Sequence, residues 1–201
     1  MSETGRISAI LLAAGKSRRM GQPKLLLPWG TTTVLGQVVA TFAAAGIGDL
    51  VVVTGGARRR VEALVADLAG RYPVRSVYNP EHERGEMLSS IQAGLAALGP
   101  EPRAALIGLG DQPQVQMETI RRLCAAFERT GTPLVFPSFD NHRGHPWLAG
   151  RAFWPEILAL PLGTNPRQFI TAYAGPIGYV EADESILRDL DTPEDYALQR
   201  P

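Results

Sequence analysis

The sequence predicts an α/β fold in which a mostly parallel, twisted sheet is flanked by helices. Two observations carry this expectation. Short runs rich in Val, Ile and Leu alternate with longer stretches of helical periodicity, the pattern of βαβ units. A chain of 201 residues, 45% hydrophobic and 20% charged, also suits one globular domain spanning 1–201 with a sizeable core.

In chain order, strands are expected near 7–12, 50–54, 74–78, 104–109 and 133–137, with helices near 33–45, 57–69, 87–98 and 116–130 between them. The first helix is the clearest, since Val34, Leu35, Val38, Val39 and Phe42 form a 3.6-period stripe and Gly46 supplies a stop. The rhythm changes from 138. "SFDNHRGHPWLAG" is polar and turn-rich, and "FWPEILALPLGTNPRQFITAY" is broken by three prolines into short helical pieces. Residues 138–175 therefore read as a small lid-like insertion over the sheet's edge. A last strand near 177–181 precedes a short helix with a marked start: Thr192 as N-cap, Pro193 in the first turn and Asp195 completing a capping box.

Composition excludes several classes. Twenty Lys and Arg against twenty Asp and Glu give a formal net charge of zero, so no global charge attracts nucleic acid or an anionic membrane, and anion binding must come from local clusters. Cys124 is the only cysteine, so there is neither an intrachain disulfide nor a Cys-rich metal site, which fits a cytoplasmic protein. The start, "MSETGR", is polar, and no apolar run reaches the roughly 18 residues of a membrane helix, so no export signal or anchor is expected.

Ligands of doubly wound sheets sit at the carboxyl ends of strands, which turns attention to the loops after the strands near 7–12, 74–78 and 104–109. In "ILLAAGKSRRMGQPKLLLPWG", Ala13, Ala14 and Gly15 let backbone N–H groups approach a ligand, while Arg19 and Lys24 can place positive charge on a polyphosphate. The spacing is that of neither a P-loop nor a dinucleotide fingerprint, and taken alone the loop is equally a solvated basic turn. In "LIGLGDQP", Asp111 ends a strand between Gly110 and a proline turn. It suits a Mg²⁺ ligand facing substrate phosphates, or simply a turn residue or helix cap. In "NPEHERGEMLSSIQAGL", Ser89 and Ser90 open an apolar helix, where they suit a base edge, a phosphate or ordinary N-capping.

Two further stretches stand out. Asp189 and Asp191 of "RDLDTPEDY" point to one side if extended and can join Asp111 as metal ligands, or Asp191 can serve the helix start. In "HRGHPW", His142 and His145 do not have the Cys/His company of a zinc site, so His145 suits substrate contact or turn packing, and glycine beside Arg143 makes a tight turn presenting cations. No G-x-S-x-G elbow or persuasive Ser-His-Asp setting supports a hydrolase.

Together "LLAAGKSRRMGQPKLLLP", "NPEHERGEMLSSIQAGL", "GDQP", "HRGHPW" and "DLDTPEDY", in this order and spanning nearly the whole chain, resemble the molybdenum cofactor nucleotidyltransferase family, the MobA-like NTP transferases. The first and third are shared with many sugar and isoprenoid-precursor nucleotidyltransferases; "RGHP" and "GDQP" look more like the cytidylyltransferase branch. The resemblance implies a Rossmann-like nucleotide-diphospho-sugar transferase fold. It also implies a Mg²⁺-dependent enzyme that moves CMP from CTP to the phosphate of molybdopterin with release of pyrophosphate. Guanylyl members usually show Leu-Ala-Gly-Gly where this chain has Leu12-Ala13-Ala14-Gly15, and the extra methyl of Ala14 would crowd a purine more than a pyrimidine, which favours CTP.

Carried over by motif, Leu12, Ala13, Ala14, Gly15, Arg19, Lys24, Ser89, Ser90 and Gly110 would bind nucleotide. Arg19, Lys24 and Asp111 would be catalytic, Asp111 and Asp191 would hold metal, and Arg143, His145 and Arg167 would face the acceptor. The acceptor segment departs from the family's Gly-Asp-x-Gly-Ala-Arg, reading Gly163-Thr164-Asn165-Pro166-Arg167, so the acceptor is where the resemblance specifies least. The partners implied are small-molecule substrates and a molybdoenzyme receiving the product. The alternatives are a transferase using GTP or a sugar 1-phosphate, a nicotinamide-nucleotide oxidoreductase drawing on Gly55 and Gly56, and a molybdenum cofactor carrier.

Overall fold

The computed structural model describes residues 7–201, apart from the side chains of Glu86, Arg167 and Gln168. The polar stretch "MSETGR" therefore lies outside the described residues. In chain order the elements are β1 (Ile7–Ala13), β2 (Pro28–Trp29), β3 (Thr32–Thr33), α1 (Val34–Ala44), β4 (Leu50–Thr54), α2 (Arg58–Ala69), β5 (Val74–Tyr78), α3 (Glu86–Ala97), β6 (Ala104–Leu109) and α4 (Met117–Thr130). There follow β7 (Leu134–Phe139), β8 (His142–Arg143), β9 (Trp147–Gly150), α5 (Trp154–Ala159), α6 (Pro166–Ala172), β10 (Ile177–Glu181) and α7 (Pro193–Gln199).

The main sheet runs β10-β7-β9-β6-β1-β4-β5, with β8 paired to β7. β1 lies parallel between β4 and β6, β4 is parallel to β5 and β7 to β10, whereas β9 is antiparallel to both its neighbours. Period-2 alternation sorts the strand residues into two layers. Ala9, Leu11, Leu50, Val52 and Leu106 join the cluster holding Val38, Val39 and Phe42 of α1 and Leu123 and Phe127 of α4. Ile10, Val51, Val53 and Ile107 join the other, with Leu88, Ile91 and Leu95 of α3 and Trp154 of α5. Burial on both faces is why these strands read as unbroken hydrophobic runs in the sequence.

The helix punctuation also follows from the residues. Thr33 Oγ1 accepts the Gly36 N–H at 3.0 Å to open α1. Thr192 and Asp195 form the reciprocal capping box of α7, with Thr192 Oγ1 accepting from Asp195 N and Asp195 Oδ2 accepting from Thr192 N. Cys124 is buried in α4, and burial pushes its thiol up to about 12, away from thiolate chemistry. Among the described residues no helix is long and apolar enough to cross a membrane.

One expectation is corrected. Residues 138–175 do not all lie over the sheet's edge, because Trp147–Gly150 form β9, an inner strand between β6 and β7. All four β9 residues are buried, and Trp147 stacks on Phe136 at 5.4 Å. An antiparallel strand of four residues behind a proline carries no βαβ signal, which is why it reads as turn-rich chain. The pieces α5 and α6 follow the expected proline breaks.

Candidate active site

The carboxyl ends of β1 and β6 open onto a cleft of about 450 Å³. Its first wall is the loop after β1. Buried Met20 and Leu25 pin two 3₁₀ turns, Arg18–Met20 and Lys24–Leu26, to the core, so the cations beside them face the cleft. Ser17 takes a left-handed conformation (φ 48°) to start the first turn, and its Oγ accepts the Lys24 N–H at 3.2 Å, tying the turns together. Ala13, Ala14, Gly15, Arg18, Arg19 and Lys24 all line the cleft.

The opposite wall comes from the chain after β6 and from the segment before α7. Gly110 N donates to Leu12 O at 3.0 Å, which aligns the ends of β1 and β6 and brings Asp111 over the cleft. Lys24 Nζ pairs with Asp111 Oδ2 and lies 3.2 Å from Asp191 Oδ1, while Arg19 reaches Asp191 Oδ2 at 2.9 Å. The side chains of Lys24 and Asp111 are 14% and 17% exposed, against 68% for Arg19, so the inner pair is largely withdrawn from water and Arg19 sits on the rim. Burial pushes the Lys24 ammonium down, but the Asp111 and Asp191 carboxylates outweigh it and hold Lys24 above its ordinary value.

Gln112 joins the two acidic motifs. It is buried, and its Nε2 donates to Asp189 Oδ1 at 2.8 Å and to Ile186 O at 3.3 Å. Asp189 lines the cleft as well, and its carboxyl is raised above the usual range by burial and by the like charges of Asp111 and Asp191. Asp191 is set by the α7 capping residue, since Asp195 Oδ2 also accepts the Asp191 N–H at 3.2 Å.

Ser89 and Ser90 are not helix caps. α3 starts after Gly85, and both hydroxyls are buried one turn in, where they accept from Asn79 Nδ2 at 2.8 and 3.0 Å. Asn79 in turn accepts the Glu81 N–H at 2.9 Å, which shapes the turn after β5. Ser90 lines the cleft beside His82 and Met87. Gly55 is needed for close approach, since a Cβ there would meet Ala14 O at 2.7 Å. The glycine pair after β4 therefore seats the β1 loop.

The cleft thus brings together Leu12, Ala13, Ala14, Gly15, Arg19, Lys24, Ser90, Asp111, Asp189 and Asp191, and adds Ser17, Arg18, His82 and Met87 to the residues singled out by motif. Arg143 and His145 are not among its lining residues. The Arg143 guanidinium lies 5.2 Å from the Phe136 ring and 5.3 Å from the Tyr179 ring, and it donates to the Tyr179 hydroxyl. His145 Nδ1 lies 3.4 Å from Ile107 O, and its backbone N–H donates to Ile186 O. Gly144 permits that approach, since a Cβ there would meet Ile186 O at 2.4 Å. The Arg167 side chain lies outside the described residues.

Residues 9–177 match the MobA-like NTP transferase domain. The chain belongs to the MobA-like NTP transferase family. It is 28% identical over 191 residues to the molybdenum cofactor cytidylyltransferase of Escherichia coli (strain K12), covering 94% of this chain and 93% of that one. It is 30% identical over 197 residues to the nicotine blue oxidoreductase of Paenarthrobacter nicotinovorans, again covering 94% and 93%. The crystal structure of Rv0371c from Mycobacterium tuberculosis H37Rv superposes with a TM-score of 0.81 at 31% identity over 98% of both chains. A second structure of Rv0371c is a complex with manganese, with a TM-score of 0.77 at 29% identity over 96% of both chains. This MobA-like chain therefore has the Rossmann-like nucleotidyltransferase fold.

Among the described residues no group of three or more His, Cys, Asp or Glu side chains is arranged to hold a metal ion. Asp111 and Asp191 instead converge on one ammonium. Two hard oxygen donors of this kind fit Mg²⁺ or Mn²⁺, with water and substrate phosphates completing the shell.

Proposed function

We propose that the chain transfers CMP from CTP to the phosphate of molybdopterin, releasing pyrophosphate, as a cytosolic enzyme that hands its product to a molybdoenzyme. The observation that carries this reading is the convergence of Lys24, Arg19, Asp111 and Asp191 on one cleft at the end of β1 in a MobA-like chain. The Escherichia coli relative supports molybdenum cofactor and CTP as substrates. Ala14, on the cleft wall, supports a pyrimidine.

In this mechanism an acceptor phosphate oxygen attacks the α-phosphorus in line. The new P–O bond forms as the bond to the β-phosphate breaks, and the electron pair leaves on pyrophosphate. Such a transfer needs positioning and charge neutralisation more than covalent help. The Ala13–Gly15 backbone and Ser90 hold the nucleotide. Lys24 and Arg19 stabilise charge on the triphosphate and on the leaving pyrophosphate. Asp111 and Asp191 would hold a divalent cation, which when bound neutralises phosphate oxygens; the manganese complex of Rv0371c supports such a cation. Arg143, His145 and Arg167 would serve the acceptor.

Pyrophosphate release with molybdopterin as acceptor tests the reading. Turnover is expected with CTP and Mg²⁺ in preference to GTP. Turnover with a sugar 1-phosphate alone would reassign the acceptor, and no release with any nucleotide would overturn the proposal. The 30% identity to nicotine blue oxidoreductase favours a second reading, a redox enzyme in the same cleft. Reduction of a dye by NAD(P)H without pyrophosphate release would select it.

A further inference from the structure

Asp111 and Asp191 approach each other closely enough to share one cation, and in this structure that cation belongs to the protein: Lys24 Nζ pairs with Asp111 and lies 3.2 Å from Asp191 Oδ1. An ammonium and a divalent metal compete for the same carboxylate oxygens, and two such charges side by side repel, the more so because Lys24 and Asp111 are largely withdrawn from water. We propose that Lys24 is a resident cation that fills the divalent-cation position of the free protein, making metal binding conditional on a triphosphate that draws the ammonium away. The inference rests on reading this cleft as a nucleotide site.

Three features support an exchangeable lysine. Lys24 has its backbone fixed, by buried Leu25 on one side and by the bond from its N–H to Ser17 Oγ, so its flexible four-carbon stem can swing without moving the loop. Asp191 keeps a partner when Lys24 leaves, because Arg19 holds its other oxygen at 2.9 Å from the rim. The neighbouring carboxylate Asp189 has Oδ1 engaged by Gln112 at 2.8 Å, so the exchange concerns the two carboxylates that Lys24 bridges. Lys24 then determines the order of binding. The free protein takes up divalent cation weakly, nucleotide raises that affinity, and metal raises nucleotide affinity by the same factor.

The test is titration of Mn²⁺ alone into the nucleotide-free protein, read by the loss of the free-ion electron paramagnetic resonance signal. Lys24→Met is expected to bind Mn²⁺ tighter than the unaltered protein by about tenfold or more, and adding Asp111→Asn is expected to erase the gain. Equal or weaker binding by a folded Lys24→Met protein would overturn the inference. A second arm uses the unaltered chain in case the variant does not fold. Mn²⁺ alone is expected to leave its melting temperature nearly unchanged, whereas Mn²⁺ with the α,β-methylene analogue of CTP raises it more than the analogue does alone. Equal stabilisation by Mn²⁺ with and without the analogue contradicts the inference. Because the first arm uses no nucleotide, the two ideas fail separately. Absent pyrophosphate release overturns the transferase reading, and absent Mn²⁺ gain overturns only the role of Lys24.

Discussion

On the β1 side of the cleft, charged groups answer one another directly: Lys24 bridges Asp111 and Asp191, and Arg19 takes the free oxygen of Asp191. On the side expected to face the acceptor, Arg143 rests against Phe136 and Tyr179, and His145 turns toward the backbone of β6. The first side is a preorganised charge network in which each group holds another in place. The second is held by packing: the Arg143 guanidinium lies against two aromatic rings, and His145 Nδ1 lies near a β6 carbonyl. The charged network is therefore concentrated at the end of β1, whereas Arg143 and His145 lie outside the cleft lining.

The comparison breaks most directly at Asp111. Asp111→Ala is expected to lower Mg²⁺-dependent pyrophosphate release by about a thousandfold while circular dichroism remains native; unchanged release would remove Asp111 from the chemistry. Lys24→Ala comes next, with kcat reduced by roughly a hundredfold, and steady-state kinetics that show a KM defect alone would make it a binding residue only. On the packed side, Arg143→Ala should raise the acceptor KM by about tenfold with the CTP KM unaltered. A fall in nucleotide affinity instead would show that the two sides are not separable.

The smallest effect is on stability and concerns Asp189. Its carboxyl is raised by burial and by the like charges of Asp111 and Asp191, against Gln112 and Lys24, which lower it. A raised folded-state value contributes stability that is fully present below the unfolded carboxylate range and is lost as pH rises through the folded value. Asp189→Asn stays neutral and can still accept from Gln112, so it escapes that loss. Its melting temperature should gain on the unaltered protein as pH rises above the ordinary carboxylate value of about 4, and a difference that does not change with pH would contradict the assignment.

How much of this was legible in the sequence depends on the range over which each interaction acts. The strands of the parallel core announce themselves because both faces are buried, and the capping box of α7 is written in four consecutive residues. Asp111 and Lys24 are marked by local contrast, a charge at the end of an apolar strand or between apolar anchors. Gln112 carries no such mark, because its partner Asp189 is 77 residues away and an amide beside a proline looks like any turn. β9 leaves no signature in the sequence because four residues cannot display a period, and its place between β6 and β7 is decided by pairing alone. Ser89 and Ser90 were legible as the opening of an apolar helix but not in their geometry, since only Asn79, from the turn after β5, reveals that their hydroxyls are held inside the helix rather than at its N-cap.

Binding of a nucleoside triphosphate in the β1 cleft is read out by thermal denaturation with CTP, GTP, ATP, UTP and NAD(P)H, each with and without Mg²⁺, since a ligand that binds only the folded state raises its melting temperature by mass action. Selective stabilisation by CTP with Mg²⁺ is expected, diminished in Asp111→Ala. Stabilisation by NADPH alone, indifferent to Mg²⁺ and to Asp111, would contradict it.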